Sequence, residues 1–244
     1  MGQSYFVWND IDCRAMGVVM RGPAPIIRPE ERVTHIEIPG RSGDLTQTEG
    51  ENIYNSYIQT VTISVKGWSQ VREVYKWLRG KGLVTFSGEP DRVQQARIIG
   101  AITLDRVSRN LDHWSGEVQF YCQPLKQRPY DEPETVSESG ATVYNGGDVI
   151  SRPLWRVKTG DNDTSITLSV TGDGGVMDSI TVTGLSGGHT YLIDSDVMEV
   201  TNTSRSTSKT KNSSGIFPRL FPGTNTVTFS GLSSVKVTKK ERFL

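Results

Sequence analysis

Val33-Thr34-His35-Ile36-Glu37-Ile38, then Pro39-Gly40-Arg41-Ser42-Gly43-Asp44-Leu45, and, after a polar excursion over residues 46–56, Tyr57-Ile58-Gln59-Thr60-Val61-Thr62-Ile63-Ser64-Val65-Lys66: this stretch decides how the N-terminal half folds. Its first and last segments alternate and are rich in β-branched residues, the pattern of half-buried strands. Pro39 fixes φ and removes a donor, and Gly40 reaches angles other residues avoid, so the first strand ends there. The excursion from Thr46 to Ser56 is too polar for a core. The unit reads as a long antiparallel arm, Val33–Ile38 against Tyr57–Lys66, with an exposed connection. Both strands have an apolar face to bury, Thr34, Ile36 and Ile38 on one and Tyr57, Val61, Ile63 and Val65 on the other. A long arm also offers unpaired edges that a folded protein must cover. A neighbouring subunit can do both, and a contact between different patches on successive copies closes into a ring when the rotation allows. Ile38, Pro39, Gly40, Arg41, Asp44 and Tyr57 are therefore the candidate subunit-interface residues, with Arg41 and Asp44 as partners across the contact.

Around the arm, Tyr5–Trp8 and Gly17–Met20 read as short strands, and Arg21–Arg32, with three prolines, as an extended loop. Ser69–Gly80 carries the helical signal. Val71, Val74, Tyr75 and Leu78 form one apolar stripe, Ser69 is the expected N-cap, and Gly80 and Gly82 supply the stop. Further strands are expected at Leu83–Phe86, Arg97–Arg106 and Glu117–Cys122. From Gln123 to Asp148 the chain turns acidic and Pro-punctuated, as a linker does, so domains are expected over 1–140 and 141–244. Beyond it, seven short strands are expected: Leu154–Val157, Ser165–Val170, Ser179–Val182, Thr190–Ile193, Val197–Val200, Thr226–Ser230 and Ser234–Thr238. That spacing is the pattern of a β-sandwich. The Ser/Thr/Lys/Asn-rich loop over 202–215 has too little apolar content to repay its ordering, and mobility is expected there. The expected class is mainly β: an N-terminal β-sandwich-like domain with one packed helix and the long β-arm, then a C-terminal β-sandwich.

Composition excludes several functions. The chain has 244 residues, with 27 Lys plus Arg against 27 Asp plus Glu, so no basic field is available for nucleic acid. No apolar run approaches a bilayer span. The start, with Met1-Gly2, has neither a secretory pattern nor a full myristoylation signal, because Phe6 stands where Ser or Thr is needed. Cys13 and Cys122 read as reduced core thiols, and the sequons at Asn162, Asn202 and Asn212 as chance matches. His35, His113 and His189 stand in no metal-ligand spacing. Asp194-Ser195-Asp196 returns to strand alternation at once, which suits a polar turn better than a calcium loop. Asp44, Glu49 and Glu51 have no apolar pocket to raise a carboxylate pKa. Trp68, Trp77, Trp114 and Trp155 are expected in the core. No catalytic, metal or cofactor site is read from the sequence, and the chain is not expected to be an enzyme.

The order of features resembles the distal tail protein family of long-tailed, non-contractile bacteriophages. The likeness rests on Ile38–Leu45 before a long alternating strand, the Trp77-Leu78 helix, and Leu83–Phe86 followed by Glu89-Pro90-Asp91-Arg92. It continues with Ser151-Arg152-Pro153-Leu154, Tyr191–Asp196 with Met198, Gly215–Asn225 and Phe229-Ser230-Gly231. It covers nearly the whole chain in order. The resemblance implies a structural virion protein at the tail tip, assembled in the host cytoplasm. Six copies would form a ring through N-terminal domains, with C-terminal galectin-like sandwiches. The implied partners are the chain itself, the tail tube protein, and a tail-tip fibre or receptor-binding protein; phages of Gram-positive hosts are typical of the family. A glycan-binding β-sandwich module, or a β-sandwich accessory of a hydrolase, would be the alternatives from other classes. The aromatic-poor C-terminal strands weigh against sugar stacking.

Overall fold

The computed structural model describes residues 3–48, 50 and 52–244. The Met1-Gly2 start and the carboxylates of Glu49 and Glu51 lie outside the described residues. The chain divides into two compact units, Met1–Pro129 (with Leu244) and Tyr130–Phe243.

The first unit contains β1 (Phe6–Trp8), β2 (Ile11–Asp12), β3 (Val18–Met20), β4 (Val33–Ile36), β5 (Leu45–Thr48), β6 (Tyr57–Lys66), α1 (Trp68–Trp77), β7 (Lys81–Phe86), β8 (Val93–Ile99), β9 (Leu104–Ser108) and β10 (Leu111–Gln127). Its main sheet runs β2-β1-β7-β8-β10-β6-β3, with β9 also paired to β10. Strand β10 is the spine. It pairs with β6 from His113 to Cys122, with β9 along its first half and with β8 along its second. Pro124 has no N–H to give to a ladder, and the register of β10 against β8 shifts between Cys122 and Lys126, where a strand proline is tolerated. Three apolar residues of β6, Val61, Ile63 and Val65, are buried in one core with Val118 and Phe120 of β10 and Val71, Val74 and Leu78 of the helical segment. Phe120 anchors an aromatic cluster, edge-on to Phe6, Trp8 and Phe86 at 5.4–5.6 Å, while Trp77 stacks on Phe6 at 5.6 Å. Cys13 and Cys122 are buried and free.

The second unit contains β11 (Glu134–Val136), β12 (Ala141–Asn145), β13 (Leu154–Thr159), β14 (Ile166–Gly172), β15 (Met177–Val182), β16 (Thr190–Asp194), β17 (Glu199–Asn202), β18 (Ser213–Gly215), β19 (Gly223–Ser230), β20 (Leu232–Thr238) and the short β21 (Arg242–Phe243). Two sheets form, β11-β20-β13-β16-β17 and β12-β19-β14-β15-β18. Trp155, Val157, Ile193 and Val235 of the first and Leu168, Val170, Ile180 and Val227 of the second share one core, so the unit is a β-sandwich. Asp178 is buried at its edge and held by a two-pronged contact from Arg219, at 2.7 and 3.1 Å.

Several sequence expectations are corrected. The arm is not Val33–Ile38 against Tyr57–Lys66. Strand β4 pairs with β5, inside the polar excursion, and β6 lies within the main sheet between β3 and β10. Hairpin pairing is local, so a nearer Leu45–Thr48 outcompetes a distant strand. The helix begins at Trp68 and Ser69 makes no cap. Asp112 of β10 caps it from a distance, its Oδ2 accepting the Trp68 N–H at 3.2 Å. Tyr75 is off the buried stripe, 37% exposed. The expected strand Arg97–Arg106 is two strands, β8 and β9. The expected linker is largely ordered: β10 runs to Gln127 and β11 and β12 fall inside it, so the units part between Pro129 and Tyr130, ahead of the expected position. Trp68 is 54% exposed and leans on Trp114 with ring centroids 5.2 Å apart, so it is not core.

The loop after β17 is tied down. Asn202 Oδ1 accepts the N–H groups of Ser206 and Thr207, Thr210 Oγ1 accepts the Val200 N–H at 2.9 Å, and β18 pairs with β15. Polar side chains meeting backbone groups order this loop where apolar burial does not.

Candidate interaction surface

The candidate interface residues separate into two places. Ile38, Pro39, Gly40, Arg41 and Asp44 lie at the tip of the β4–β5 hairpin and are all exposed. Gly40 and Gly43 turn it at φ 81° and 79°, a region costly for a side chain. Tyr57 opens β6, packs on the core of the first unit, and exchanges hydrogen bonds with Gln94 at 3.1 and 3.0 Å. Burial pushes its phenol up to about 12, only partly offset by the bond from Gln94. Tyr57 is therefore a packing residue, apart from the hairpin tip.

The hairpin is longer than its two strands. Below them, Glu31 bridges Tyr54, the Arg32 N–H reaches the Ile53 carbonyl at 2.9 Å, and the Asn55 N–H reaches Glu30 at 2.8 Å. From Glu30 to Ile38 the arm spans eight steps, roughly 26 Å at about 3.3 Å per residue. Ile36 stands directly across from Leu45, and alternation puts Ile38 on the same side. These three remain 39, 44 and 38% exposed. A lone two-stranded ribbon is marginal in water, and among the described residues nothing fully covers the apolar side of this one.

A second exposed surface lies on the main sheet of the first unit. Lys81 pairs across to Arg97, Arg97 to Tyr121, and Tyr121 to Ile58, making one row over β7, β8, β10 and β6. Tyr121 and Ile58 are exposed, as is Leu83, two residues on from Lys81 in β7. A groove of about 580 Å³ lies along Lys81, Leu83, Gln95, Arg97 and Tyr121. Sequence reasoning missed this face; the exposed apolar residues on alternating strands were its only signal.

The titratable groups do not converge. His35 lies beside Thr46 in the hairpin, His113 sits in β10, and His189 lies against the Gly187 carbonyl in the second unit. Asp194 and Asp196 are met by Lys240 at 3.0 Å and Arg242 at 2.6 Å, which occupies the carboxylates a cation would need. Among the described residues, no group of three or more His, Cys, Asp or Glu side chains is placed to hold a metal ion. Likewise, no described helix is long and apolar enough to cross a membrane.

The fold is that of a phage distal tail hub protein. The crystal structure of the Dit protein of phage SPP1, a paradigm of the hub adsorption apparatus in phages infecting Gram-positive bacteria, matches over 100% of both chains with a TM-score of 0.77 at 17% identity. The baseplate of phage P2 in its activated conformation with calcium matches over 100% of both chains, with a TM-score of 0.52 at 9% identity. The same baseplate with strontium matches over 99% of both, with a TM-score of 0.50 at 9% identity. No protein-family model and no curated protein matches the sequence.

Proposed function

We propose that this chain is a structural hub of a phage tail tip, assembling as a ring of copies through its first unit. The ring joins the tail tube to the tail-tip and host-adhesion apparatus. The observation that carries this reading is the end-to-end likeness to the SPP1 hub protein across both units. The uncovered hairpin supports self-association. The work is mechanical and adhesive: the hub holds partners in register and performs no catalysis. The second unit offers its surface to another tail protein; its tryptophan, Trp155, is fully buried, which removes the strongest sugar-stacking platform from that surface.

Native mass spectrometry and light scattering on the purified chain test the reading. A closed species near six subunit masses is expected at micromolar concentration, and it should cap isolated tail tubes in the electron microscope. A monodisperse monomer that neither self-associates nor binds tubes would refute it.

A further inference from the structure

We propose that the exposed row Lys81–Arg97–Tyr121–Ile58 is the seat for the β4–β5 hairpin of a second copy of this chain. The inference rests on the ring reading above and names the acceptor surface that reading leaves open.

Three observations converge on this pairing. The first is apolar complementarity. The hairpin presents Ile36, Ile38 and Leu45 on one side, and the sheet presents Leu83, Tyr121 and Ile58 beside an open groove. Both surfaces belong to the first unit, yet the hairpin residues remain exposed, so the ribbon does not lie on its own sheet.

The second observation is charge. Next in sequence to the Ile36–Leu45 pair stand Glu37 and Asp44, two exposed acids at the end of the ribbon, which alternation puts on the side away from the apolar residues. The seat offers Lys81 and Arg97, two exposed cations directly opposite one another. With the apolar side of the ribbon down on Tyr121 and Ile58, both cations flank one edge of it, and their long side chains extend past that edge toward the acids.

The third is geometry. The hairpin is a separate two-stranded sheet, and an arm of roughly 26 Å is long enough to reach another copy. Hairpin and seat are different patches, so each copy gives one and receives one, the head-to-tail arrangement that closes into a ring.

A charge-reversal cycle followed by native mass spectrometry tests the proposal, with circular dichroism as the folding control, since every substituted side chain is exposed. The variants are Glu37→Lys with Asp44→Lys on the hairpin, Lys81→Glu with Arg97→Glu on the seat, and all four together. Each pair should raise the concentration needed for ring formation roughly tenfold or more, and the combination should restore it to within about threefold of the parent. Rings that form with the seat reversed and the hairpin native, at unchanged concentration, would overturn the seat while leaving the ring reading intact. So would weakening by both pairs with no restoration. A parent chain that never assembles would remove the ring reading and the seat together.

Discussion

Strand β6 and the β4–β5 hairpin carry nearly the same sequence texture and meet opposite fates. Both alternate, and both are rich in Ile, Val and Thr. In β6, Val61, Ile63 and Val65 are buried between β10 and α1. In the hairpin, Ile36, Ile38 and Leu45 face outward. Alternation therefore reports that one side of a strand is destined for burial, without saying whether the cover comes from its own chain or from another. Within the chain, β6 has ten residues against a ladder of equal length on β10. The hairpin has four-residue strands and only each other.

The contrast is broken most forcefully by truncating one apolar residue in each place. Ile63→Ala should cost the first unit about 2–5 kcal/mol, because a fully buried side chain leaves a cavity. Ile36→Ala should change chain stability by no more than about 0.5 kcal/mol while weakening assembly. Urea unfolding and native mass, run on both variants, separate the two effects. A hairpin variant that unfolds like the β6 variant would mean the ribbon is core after all.

Alkaline titration sharpens the contrast from the side of β6 and its partner. Burial raises the Tyr57 phenol and the Cys122 thiol, each to about 12. Groups whose protonated form is favoured in the folded state contribute stability that is fully present below their unfolded values and is lost as pH rises through the folded ones. The first unit should therefore lose stability from about pH 9 to pH 12, and Tyr57→Phe should flatten the upper part of that fall. Denaturant midpoints measured across the range provide the check.

The smallest effect concerns the helix beside β6. Asp112 is held below its usual range, first by the bond from Trp114 Nε1 and then by the Trp68 N–H. Its contribution is present above pH 4 and lost as pH falls through its lowered value. Asp112→Ala should lower the melting temperature of the first unit by only a few degrees and should remove part of its acid sensitivity. A change confined to the second unit would show that the cap is immaterial.

Legibility differed between regions for physical reasons. Strands such as β13 and β20 were readable because burial alternates along them, at Trp155 and Val157 and at Val235 and Val237. Strands β11, β12 and β18 were not. Their few apolar residues sit among Pro, Ser and Gly, and only pairing with β20, β19 and β15 makes them strands. The loop after β17 misled for a related reason: its order comes from side-chain oxygens meeting particular N–H groups, which composition cannot display. At the candidate interface, the tip residues were legible from Pro39, Gly40 and Gly43, whereas the seat was not, because Lys81, Arg97, Tyr121 and Ile58 come from four strands.

The sequence by itself determined the mainly β class, the helix, the β-sandwich and the turn that closes the hairpin. The helix and the turn are each encoded within a dozen residues by an apolar stripe or by backbone-restricting Pro and Gly, and the class and the sandwich by a series of short local strand patterns. Only the tertiary structure decided which strand β4 would pair with, that Asp112 rather than Ser69 would cap the helix, and where the two units divide. These outcomes depend on competition between partners far apart in the chain, and a local pattern carries no record of which partner wins.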